Sequence, residues 1–208
     1  MQILSQYNFM SNKIIKLALF ASGNGSNVQQ IAEYFQGRSK DTDTLIEVDC
    51  VVYNRKDAFV ATRAQNLGLP AYYMNKGDFF ESNAVLDLMK EREIDYIILA
   101  GFLLLVPENL IHRYRSHIIN IHPALLPKYG GKGMYGIHVH EAVVENKEKE
   151  TGITIHLVDE QFDHGEYLFQ ARCDVLPTDS ADDVAAKVHL LEKEFFPKVI
   201  EQYILEEE

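Results

Sequence analysis

Three polar residues of this chain could together carry out acyl transfer. Asn120 and His122 lie in the run Ile-Asn-Ile-His-Pro at 119–123, and Asp163 lies in Asp-Glu-Gln-Phe-Asp-His-Gly at 159–165. An amide N–H and a protonated imidazole can stabilise an oxyanion, and a carboxylate beside the imidazole favours its charged form. Asn120 and His122 are two residues apart, so they project to the same side if the chain is extended there. We therefore predict an acyl-transfer site, with a structural histidine in a turn as the alternative for His122.

A glycine-rich turn, Ser-Gly-Asn-Gly-Ser-Asn at 22–27, joins the first predicted strand to the first predicted helix. Glycine lets the backbone approach a ligand closely, and the free N–H groups of a helix N-terminus bind anions. The turn therefore predicts a phosphate site. A capping box formed by Ser26 and Gln29 is the alternative, and the two are compatible. No Lys follows the second glycine and no acidic residue ends the second strand, so a monophosphate fits better than a dinucleotide.

Composition bounds the class of protein. The 208 residues suit one domain, with 47% hydrophobic and 25% charged residues. A formal net charge of −11 argues against a general nucleic-acid binder. No apolar run is long enough to span a bilayer, and the two cysteines form no disulfide or metal pattern, which favours a reducing cytoplasm. We predict an N-terminal extension at 1–13 and a single domain at 14–208.

Strand patterns alternate with helical patterns along the chain. The predicted strands span 14–21, 46–52, 71–74, 96–100, 117–120, 152–158 and 167–173, and the predicted helices span 26–36, 57–67, 79–92, 107–114, 138–145 and 182–203. This order predicts an α/β fold with a doubly wound, mostly parallel sheet and an antiparallel edge. Ligands of such sheets bind beyond the carboxyl ends of the strands, where the segments 22–27, 101–106 and 120–122 fall.

Two nearby histidines, His138 and His140, raise the question of a metal, with His156 or His164 as a third ligand. Their spacing suits a strand, but the residues that follow predict a helix, on which positions i and i+2 do not face each other. Exposed histidines at a helix entrance are therefore the favoured interpretation.

His189 and Glu192 share a face of the last predicted helix because they are three residues apart. A carboxylate there could accept hydrogen bonds from sugar hydroxyls, although the residues alone favour a solvated helix edge. The long glycine- and proline-rich loop contains Lys128, Lys132 and Tyr135. The sequence does not decide whether these three residues bind a ligand or are simply solvated. Flexibility in that loop would suit a lid over a ligand.

Taken together, the motifs resemble those of the glycinamide ribonucleotide formyltransferases, folate-dependent enzymes of purine synthesis. The resemblance runs from about Lys16 to about Tyr203. It is carried, in order, by the segments 22–27, Leu-Ala-Gly-Phe at 99–102, Asn-Ile-His-Pro-Ala-Leu-Leu-Pro-Lys-Tyr at 120–129, and 151–165. Four motifs in the same order are far more specific than any one of them, and they imply a Rossmann-like formyltransferase fold.

The resemblance implies a reaction and roles for the three polar residues. The amine of glycinamide ribonucleotide attacks the formyl carbon of 10-formyltetrahydrofolate, a tetrahedral intermediate forms, and tetrahydrofolate leaves. Asn120 and protonated His122 stabilise the oxyanion, while Asp163 keeps His122 charged and assists transfer of the amine proton. No metal is implied. The implied partners are the two small molecules, with no nucleic acid or membrane, in a monomer or homodimer.

The resemblance also implies the residues that bind the two substrates. The phosphate of glycinamide ribonucleotide is assigned to Gly25, Ser26 and Asn27, and its ribose to His189 and Glu192. The pterin is assigned to Leu103, Leu104, Leu105, Val106, Asn120, Asp159, Glu160, Gln161, Phe162 and Asp163.

Two departures concern the folate. Leu104 stands where some relatives carry Arg, and Glu-Ser-Asn at 81–83 stands where some carry an Arg that holds the glutamate tail. The sequence therefore leaves open how the tail is bound, and it leaves open the role of the loop at 130–136.

Related activities are the alternatives. Methionyl-tRNA formyltransferase normally has a second, tRNA-binding domain, and formyltetrahydrofolate deformylase usually has an N-terminal regulatory domain; we expect neither here. A deformylase and a sugar-nucleotide formyltransferase are kept as alternatives. A non-enzymatic nucleotide-binding module would explain the glycine-rich turn but not Asn120, His122 and Asp163.

Overall fold

The computed structural model describes residues 13–38 and 44–207, which form one seven-stranded sheet covered by helices on both faces. The strands are β1 (Lys13–Ala21), β2 (Thr44–Tyr53), β3 (Ala71–Tyr73), β4 (Tyr96–Leu99), β5 (Ile118–His122), β6 (Glu150–Leu157) and β7 (Tyr167–Asp174). The helices are α1 (Ser26–Gln36), α2 (Val60–Asn66), α3 (Lys76–Phe80), α4 (Ala84–Glu91), α5 (Glu108–Arg113), α6 (Ile137–Glu145) and α7 (Ala181–Glu207). The predicted extension at 1–13 lies outside the described residues, apart from Lys13 at the start of β1.

The strand order in the sheet is β3-β2-β1-β4-β5-β6-β7. The pairs from β3 to β5 are parallel, whereas β6 pairs antiparallel with both β5 and β7. The prediction of a mostly parallel, doubly wound sheet with an antiparallel edge is therefore confirmed. The order reverses direction between β1 and β4, and a crevice forms beyond the carboxyl ends of the strands at such a point.

Strand β1 contributes to two separate hydrophobic cores because its side chains alternate between the faces of the sheet. Leu17 and Leu19 pack on one face with helices α1 and α7, and Ala18 and Phe20 pack on the other with helices α4 and α5. All four side chains are fully buried. Burial on both faces explains why β1 is an almost continuous apolar run rather than an alternating one.

Helix α1 begins differently from the predicted capping box. Its N-cap residue is Gly25, in the left-handed conformation with φ 78°, and no side chain caps the helix. The Gln29 amide oxygen instead accepts a hydrogen bond from Arg63. The capping-box alternative for Ser26 and Gln29 is therefore wrong, and the first N–H groups of α1 receive no side-chain cap.

The helix predicted at 79–92 is two helices, α3 and α4. Asn75 begins α3 with a capping box, since its side chain accepts hydrogen bonds from the Gly77 and Asp78 N–H groups and the Asp78 carboxylate accepts one from the Asn75 N–H. Asn83 then interrupts the helical chain before α4. Within the described residues, no helix is both long and apolar enough to cross a bilayer.

Candidate active site

The structure brings Asn120, His122 and Asp163 together at the edge of the sheet. Asp163 Oδ1 lies 3.5 Å from Asn120 Nδ2 and 3.5 Å from His122 Nδ1. A third nitrogen, His156 Nε2, lies 3.6 Å from the same oxygen. These separations are at or beyond the limit of an ordinary hydrogen bond, so the three nitrogens surround the oxygen without binding it tightly.

The pairing of β5 with β6 places two of these nitrogens. Asn120 lies directly opposite His156 in the antiparallel pair, and residues so placed point to the same face of the sheet. His156 Nδ1 is 2.7 Å from the carbonyl oxygen of Leu157 and must donate to it, because a carbonyl can only accept. His156 Nε2 then faces Asn120 Nδ2 at 3.0 Å and accepts a hydrogen bond from it when the ring is neutral.

His122 is held by a similar backbone contact. Its Nε2 donates to the carbonyl oxygen of Tyr129 over 2.7 Å, and the residue is only 4% exposed. Since Nε2 keeps its proton for that contact, Nδ1 is the nitrogen that gains and loses a proton, and Nδ1 is also the nitrogen that faces Asp163.

Burial opposes the charge expected on His122 in the unliganded protein. Burial lowers the pKa of His122 below its ordinary value, and this effect outweighs the attraction of Asp163 and the contact with Tyr129, which both raise it. His156 adds to the lowering. The expectation that Asp163 keeps His122 charged is therefore corrected for the unliganded protein: Asp163 raises the pKa, but burial lowers it more, because burial removes the imidazolium from water.

Asp163 is oriented by the loop whose role the sequence left open. Its Oδ2 accepts a 2.8 Å hydrogen bond from the Gly131 N–H. Burial acts to raise the pKa of Asp163, but contacts with His156, His122 and Gly131 together lower it below its ordinary value. Asp163 is therefore ionised at neutral pH and directs one oxygen toward the three nitrogens.

The glycine-rich turn lies at the same edge of the sheet and is supported by helix α2. A Cβ atom on residue 25 would lie 2.4 Å from Val60 Cγ2, so the close approach requires glycine. The Val60 N–H also donates to the carbonyl oxygen of Gly23. Only a residue without a side chain can bring the start of α1 this close to α2.

Glu192 is buried and connects the turn to helix α7. Its Oε2 accepts hydrogen bonds from Asn27 Nδ2 at 3.2 Å and from His189 Nδ1 at 2.7 Å. Glu192 is 5% exposed, so the favoured interpretation of a solvated helix edge is wrong for this residue. The contact with Glu192 raises the pKa of His189 above its ordinary value despite partial burial.

One cavity of about 850 Å³ contains the polar cluster, the glycine-rich turn and the Glu192 carboxylate. Its wall includes large apolar side chains that are unusually exposed, namely Leu103, Leu105, Tyr135, Ile137 and Phe162. Buried Ser22 joins two of its loops: its N–H donates to the Gly101 carbonyl oxygen, and its Oγ accepts from the Leu103 N–H. A concave apolar wall with a few convergent polar groups is typical of a small-molecule site.

Most of the predicted site residues line this cavity. They are Gly25, Ser26, Asn27, Leu103, Leu104, Leu105, Val106, Asn120, His122, Asp159, Gln161, Phe162, Asp163, His189 and Glu192. Glu160 is the exception; it lines a neighbouring pocket with Phe80 and Leu105.

Sequence reasoning missed His156 and Gly131. It considered His156 only as a metal ligand, and among residues 13–38 and 44–207 no group of three or more His, Cys, Asp or Glu side chains is arranged to hold a metal ion. The signal that could have placed His156 on one face of the sheet is the alternation of Thr154 and His156 with apolar residues in β6. Which residue of another strand it meets depends on register, which the sequence did not give.

The buried histidines predict that acid destabilises the fold. Burial lowers the folded-state pKa of both His122 and His140 below the value near 6.5 of an unfolded chain. Unfolding therefore takes up protons as the pH falls through about 6.5, so the free energy of unfolding decreases below that pH, by at most about 1.4 kcal/mol per pH unit for each histidine. His189, whose pKa is raised, acts in the opposite direction.

The measurement compares urea unfolding at pH 7.5 and pH 5.5 for the wild type and for His140→Gln. We expect the variant to lose less stability between the two pH values, because one proton-linked site has been removed. An equal loss in both proteins would contradict the lowered pKa of His140.

Comparisons with known proteins agree with the site. A family model described as formyl transferase matches residues 15–200. Phosphoribosylglycinamide formyltransferase of Haemophilus influenzae is 31% identical over 90% of this chain and 86% of its own length. The crystal structure of phosphoribosylglycinamide formyltransferase from Streptococcus pneumoniae TIGR4 is 34% identical, with a TM-score of 0.78 over 91% of this chain and 99% of that chain.

A plant relative is longer than this chain. The chloroplastic phosphoribosylglycinamide formyltransferase of Arabidopsis thaliana is 36% identical over 89% of this chain, which spans 64% of the plant protein. The matched length and the identity to relatives of similar size establish that this chain belongs to the formyl transferase family, among the phosphoribosylglycinamide formyltransferases.

Proposed function

We propose that this protein transfers the formyl group of 10-formyltetrahydrofolate to the amine of glycinamide ribonucleotide. The observation that carries the proposal is the convergence of Asn120, His122 and Asp163 in one cavity with the glycine-rich turn at 22–27. The deformylase alternative has no need of a phosphate site, and the nucleotide-binding module has no need of the three converging side chains.

Asn120 and His122 are the proposed donors to the formyl oxygen. The Asn120 amide donates one N–H to His156, and its second N–H makes only the 3.5 Å contact with Asp163. A substrate oxygen can take over such a weak contact with little loss. Donors held in place before the reaction act without reorganisation. In comparable sites each donor lowers the activation free energy by about 3 kcal/mol.

The protonation of His122 changes during the proposed reaction. Burial keeps its pKa low in the unliganded protein, with Asp163 as the opposing charge beside Nδ1. Negative charge that develops on the formyl oxygen adds a second anion beside Nδ1, which favours uptake of a solvent proton at Nδ1 to give the imidazolium; the proton returns to solvent when the oxyanion collapses to the new formamide. Asp163, already ionised, accepts the amine proton, directly or through a water molecule, and that proton then passes to N10 of tetrahydrofolate as its bond to the formyl carbon breaks.

The acceptor is bound at the other end of the cavity. The N–H groups of Ser26 and Asn27 at the start of α1 are suited to its phosphate, because a helix N-terminus concentrates positive partial charge. Glu192, linked to Asn27 and His189, is suited to accept hydrogen bonds from the ribose hydroxyls. The bond between Asn27 and Glu192 makes the phosphate and ribose sites neighbours, as they are in a nucleotide.

The donor fits the apolar wall. Its flat pterin ring needs apolar contact together with backbone hydrogen-bonding groups, and the segment from Leu103 to Val106 offers both at the cavity surface. The segment 159–163, apart from Glu160, also lines the cavity. Its first residue, Asp159, accepts a hydrogen bond from the Gln161 N–H and contacts the His164 ring nitrogen Nδ1. The folate supplies the activated formyl group when it is bound.

An absorbance assay of folate turnover with and without glycinamide ribonucleotide tests this function. We expect turnover only with the ribonucleotide. Equal turnover in its absence would identify a deformylase. A third reaction with a sugar nucleotide as the acceptor tests the sugar-nucleotide formyltransferase, which would turn over folate only there. No turnover under any of the three conditions would overturn the proposal. The cytoplasmic location, the monomer or homodimer, and the single domain at 14–208 stay predictions.

Arg63 provides a test of the phosphate site from outside the cavity. Its Nε is 2.9 Å from the Asn24 carbonyl oxygen and 3.0 Å from Asn24 Oδ1, and its Nη2 is 2.6 Å from the same Oδ1. We expect Arg63→Ala to raise the KM for glycinamide ribonucleotide about tenfold, because several charged hydrogen bonds that fix the turn are lost. The KM for the folate and kcat should change less than about twofold, since the turn does not contact the reacting atoms.

Steady-state kinetics in both substrates measure this split. Arg55→Ala is the matched control, because Arg55 is exposed and forms an ion pair with its near neighbour Asp57. Arg63→Lys keeps the charge but loses the paired contacts, so it should fall between the wild type and Arg63→Ala. A fall in kcat with an unchanged KM for the ribonucleotide would contradict the expected role.

A further inference from the structure

His140 lines the cavity but has no role in the proposed mechanism, and the sequence considered it only as a metal ligand or as an exposed histidine at a helix entrance. It lies in helix α6, lines the cavity, and is 4% exposed. His138, two residues earlier, has a side chain that is 57% exposed and lies 3.1 Å from Glu141. The interpretation of both histidines as exposed is therefore wrong for His140, which is buried, and holds for His138.

The hydrogen bonding of His140 is incomplete. Its Nδ1 is sealed from solvent and has no hydrogen-bond partner within the part of the chain that the structure describes. An unpaired polar atom in the interior is costly, so such an atom calls for a specific reason. In His140 the opposite edge of the ring, which carries Nε2, remains available to a ligand in the cavity.

The tautomer follows from this geometry. A buried N–H without an acceptor is rarer than an acceptor without a donor, so the proton belongs on Nε2 and the lone pair on Nδ1. Burial also lowers the pKa of His140, which keeps the ring neutral at neutral pH. Since Nδ1 is sealed and the residue lines the cavity, the edge that carries Nε2–H faces the cavity.

The position of His140 identifies the part of the ligand that it meets. The charged and titratable groups that act on it are Glu192, His189 and His122. The first two belong to the proposed ribose site and the third to the proposed reaction centre. A bound glycinamide ribonucleotide would extend from the ribose site to the reaction centre. The atoms between its ribose and its amine are the amide of the glycinamide arm, whose carbonyl oxygen needs a hydrogen-bond donor.

On the basis of the proposed function, we infer that His140 is a substrate-binding residue whose Nε2–H donates to the amide carbonyl oxygen of the acceptor's glycinamide arm. This contact fixes the arm between Glu192 and His122 and so directs its amine toward the formyl carbon. The inference assigns a specificity contact for an amide-bearing arm, in addition to the phosphate and ribose contacts.

The test uses the different shapes of Gln, Asn and Leu. A Gln amide can place its N–H where Nε2 lies, an Asn amide reaches only the position of Nδ1, and Leu has no donor. We expect His140→Gln to keep the dissociation constant of glycinamide ribonucleotide, measured by calorimetry without folate, within about threefold of wild type. His140→Leu and His140→Asn should each weaken binding about tenfold, which corresponds to about 1.4 kcal/mol.

The control and the opposing outcomes separate this inference from the proposed function. His138→Leu is the matched control on the same helix and should bind like the wild type. Similar dissociation constants for all three His140 variants would overturn the inference, whether binding is kept or lost in all of them. If the wild type neither binds nor formylates the ribonucleotide, the proposed function itself fails; if it does both and His140→Leu binds normally, only the His140 inference fails.

Discussion

Replacing His122 by Gln should reduce kcat/KM for formyl transfer about a thousandfold while leaving the fold intact. A Gln amide can still donate to the Tyr129 carbonyl oxygen, as Nε2 does over 2.7 Å. It has no equivalent of Nδ1, which faces Asp163 and is the nitrogen that can be protonated. The variant therefore separates the chemistry of the ring from its structural contact.

His122→Ala is the less selective companion. It should lose the same activity and, in addition, about 1 kcal/mol of stability, because the part-buried carbonyl group of Tyr129 is left without its donor. Single-turnover formyl transfer and urea unfolding of both variants measure the two effects. Activity of His122→Gln within tenfold of wild type would rule out a chemical role for Nδ1, and His138→Gln serves as the exposed histidine control.

The local features of the site could be predicted from the sequence because they depend on neighbours along the chain. Asn120 and His122 point the same way because they alternate in one strand, and both belong to β5. Gly25 was predicted to let the backbone approach a ligand, and it begins α1 with a positive φ. Such features follow from chain geometry over a few residues.

The features that the sequence did not give depend on long-range pairing. His156 meets Asn120 only because β6 aligns with β5 in one particular register. Glu192 is buried where α7 packs near α1, and it accepts a hydrogen bond there from Asn27, 165 positions away in the chain. Burial also determines the sign of the His122 pKa shift, and burial is a property of the folded chain.

The helix boundaries illustrate the same limit at shorter range. A continuous helix was predicted at 79–92 from its apolar spacing, whereas Asn75 and Asp78 form a capping box that begins a separate short helix. Caps can override periodicity, because each one satisfies N–H groups that the helix itself leaves free. The result is a turn at 81–83, which lines the neighbouring pocket that also contains Glu160.

Asp163 is the residue whose charge links the three proposed catalytic side chains, so its neutralisation should have the second of the two largest effects. Asp163→Asn keeps an oxygen that can accept from the Gly131 N–H, which bonds Oδ2 at 2.8 Å. It removes the negative charge 3.5 Å from His122 Nδ1 and the acceptor for the amine proton. We expect kcat to fall by about two to three orders of magnitude, within the range of general acid–base catalysis.

The pH dependence identifies the cause of that loss. On the proposed mechanism the imidazolium of His122 is the active form, so activity falls as the pH rises through its pKa in the complex. Asp163 raises that pKa, and its loss lets burial lower the pKa further. The alkaline limb of the profile of kcat should therefore move to lower pH in Asp163→Asn, while Asp87→Asn, at an exposed site on α4, should keep the wild-type profile. A slower variant with an unshifted limb would show that Asp163 acts on the amine proton alone and does not govern the charge of His122.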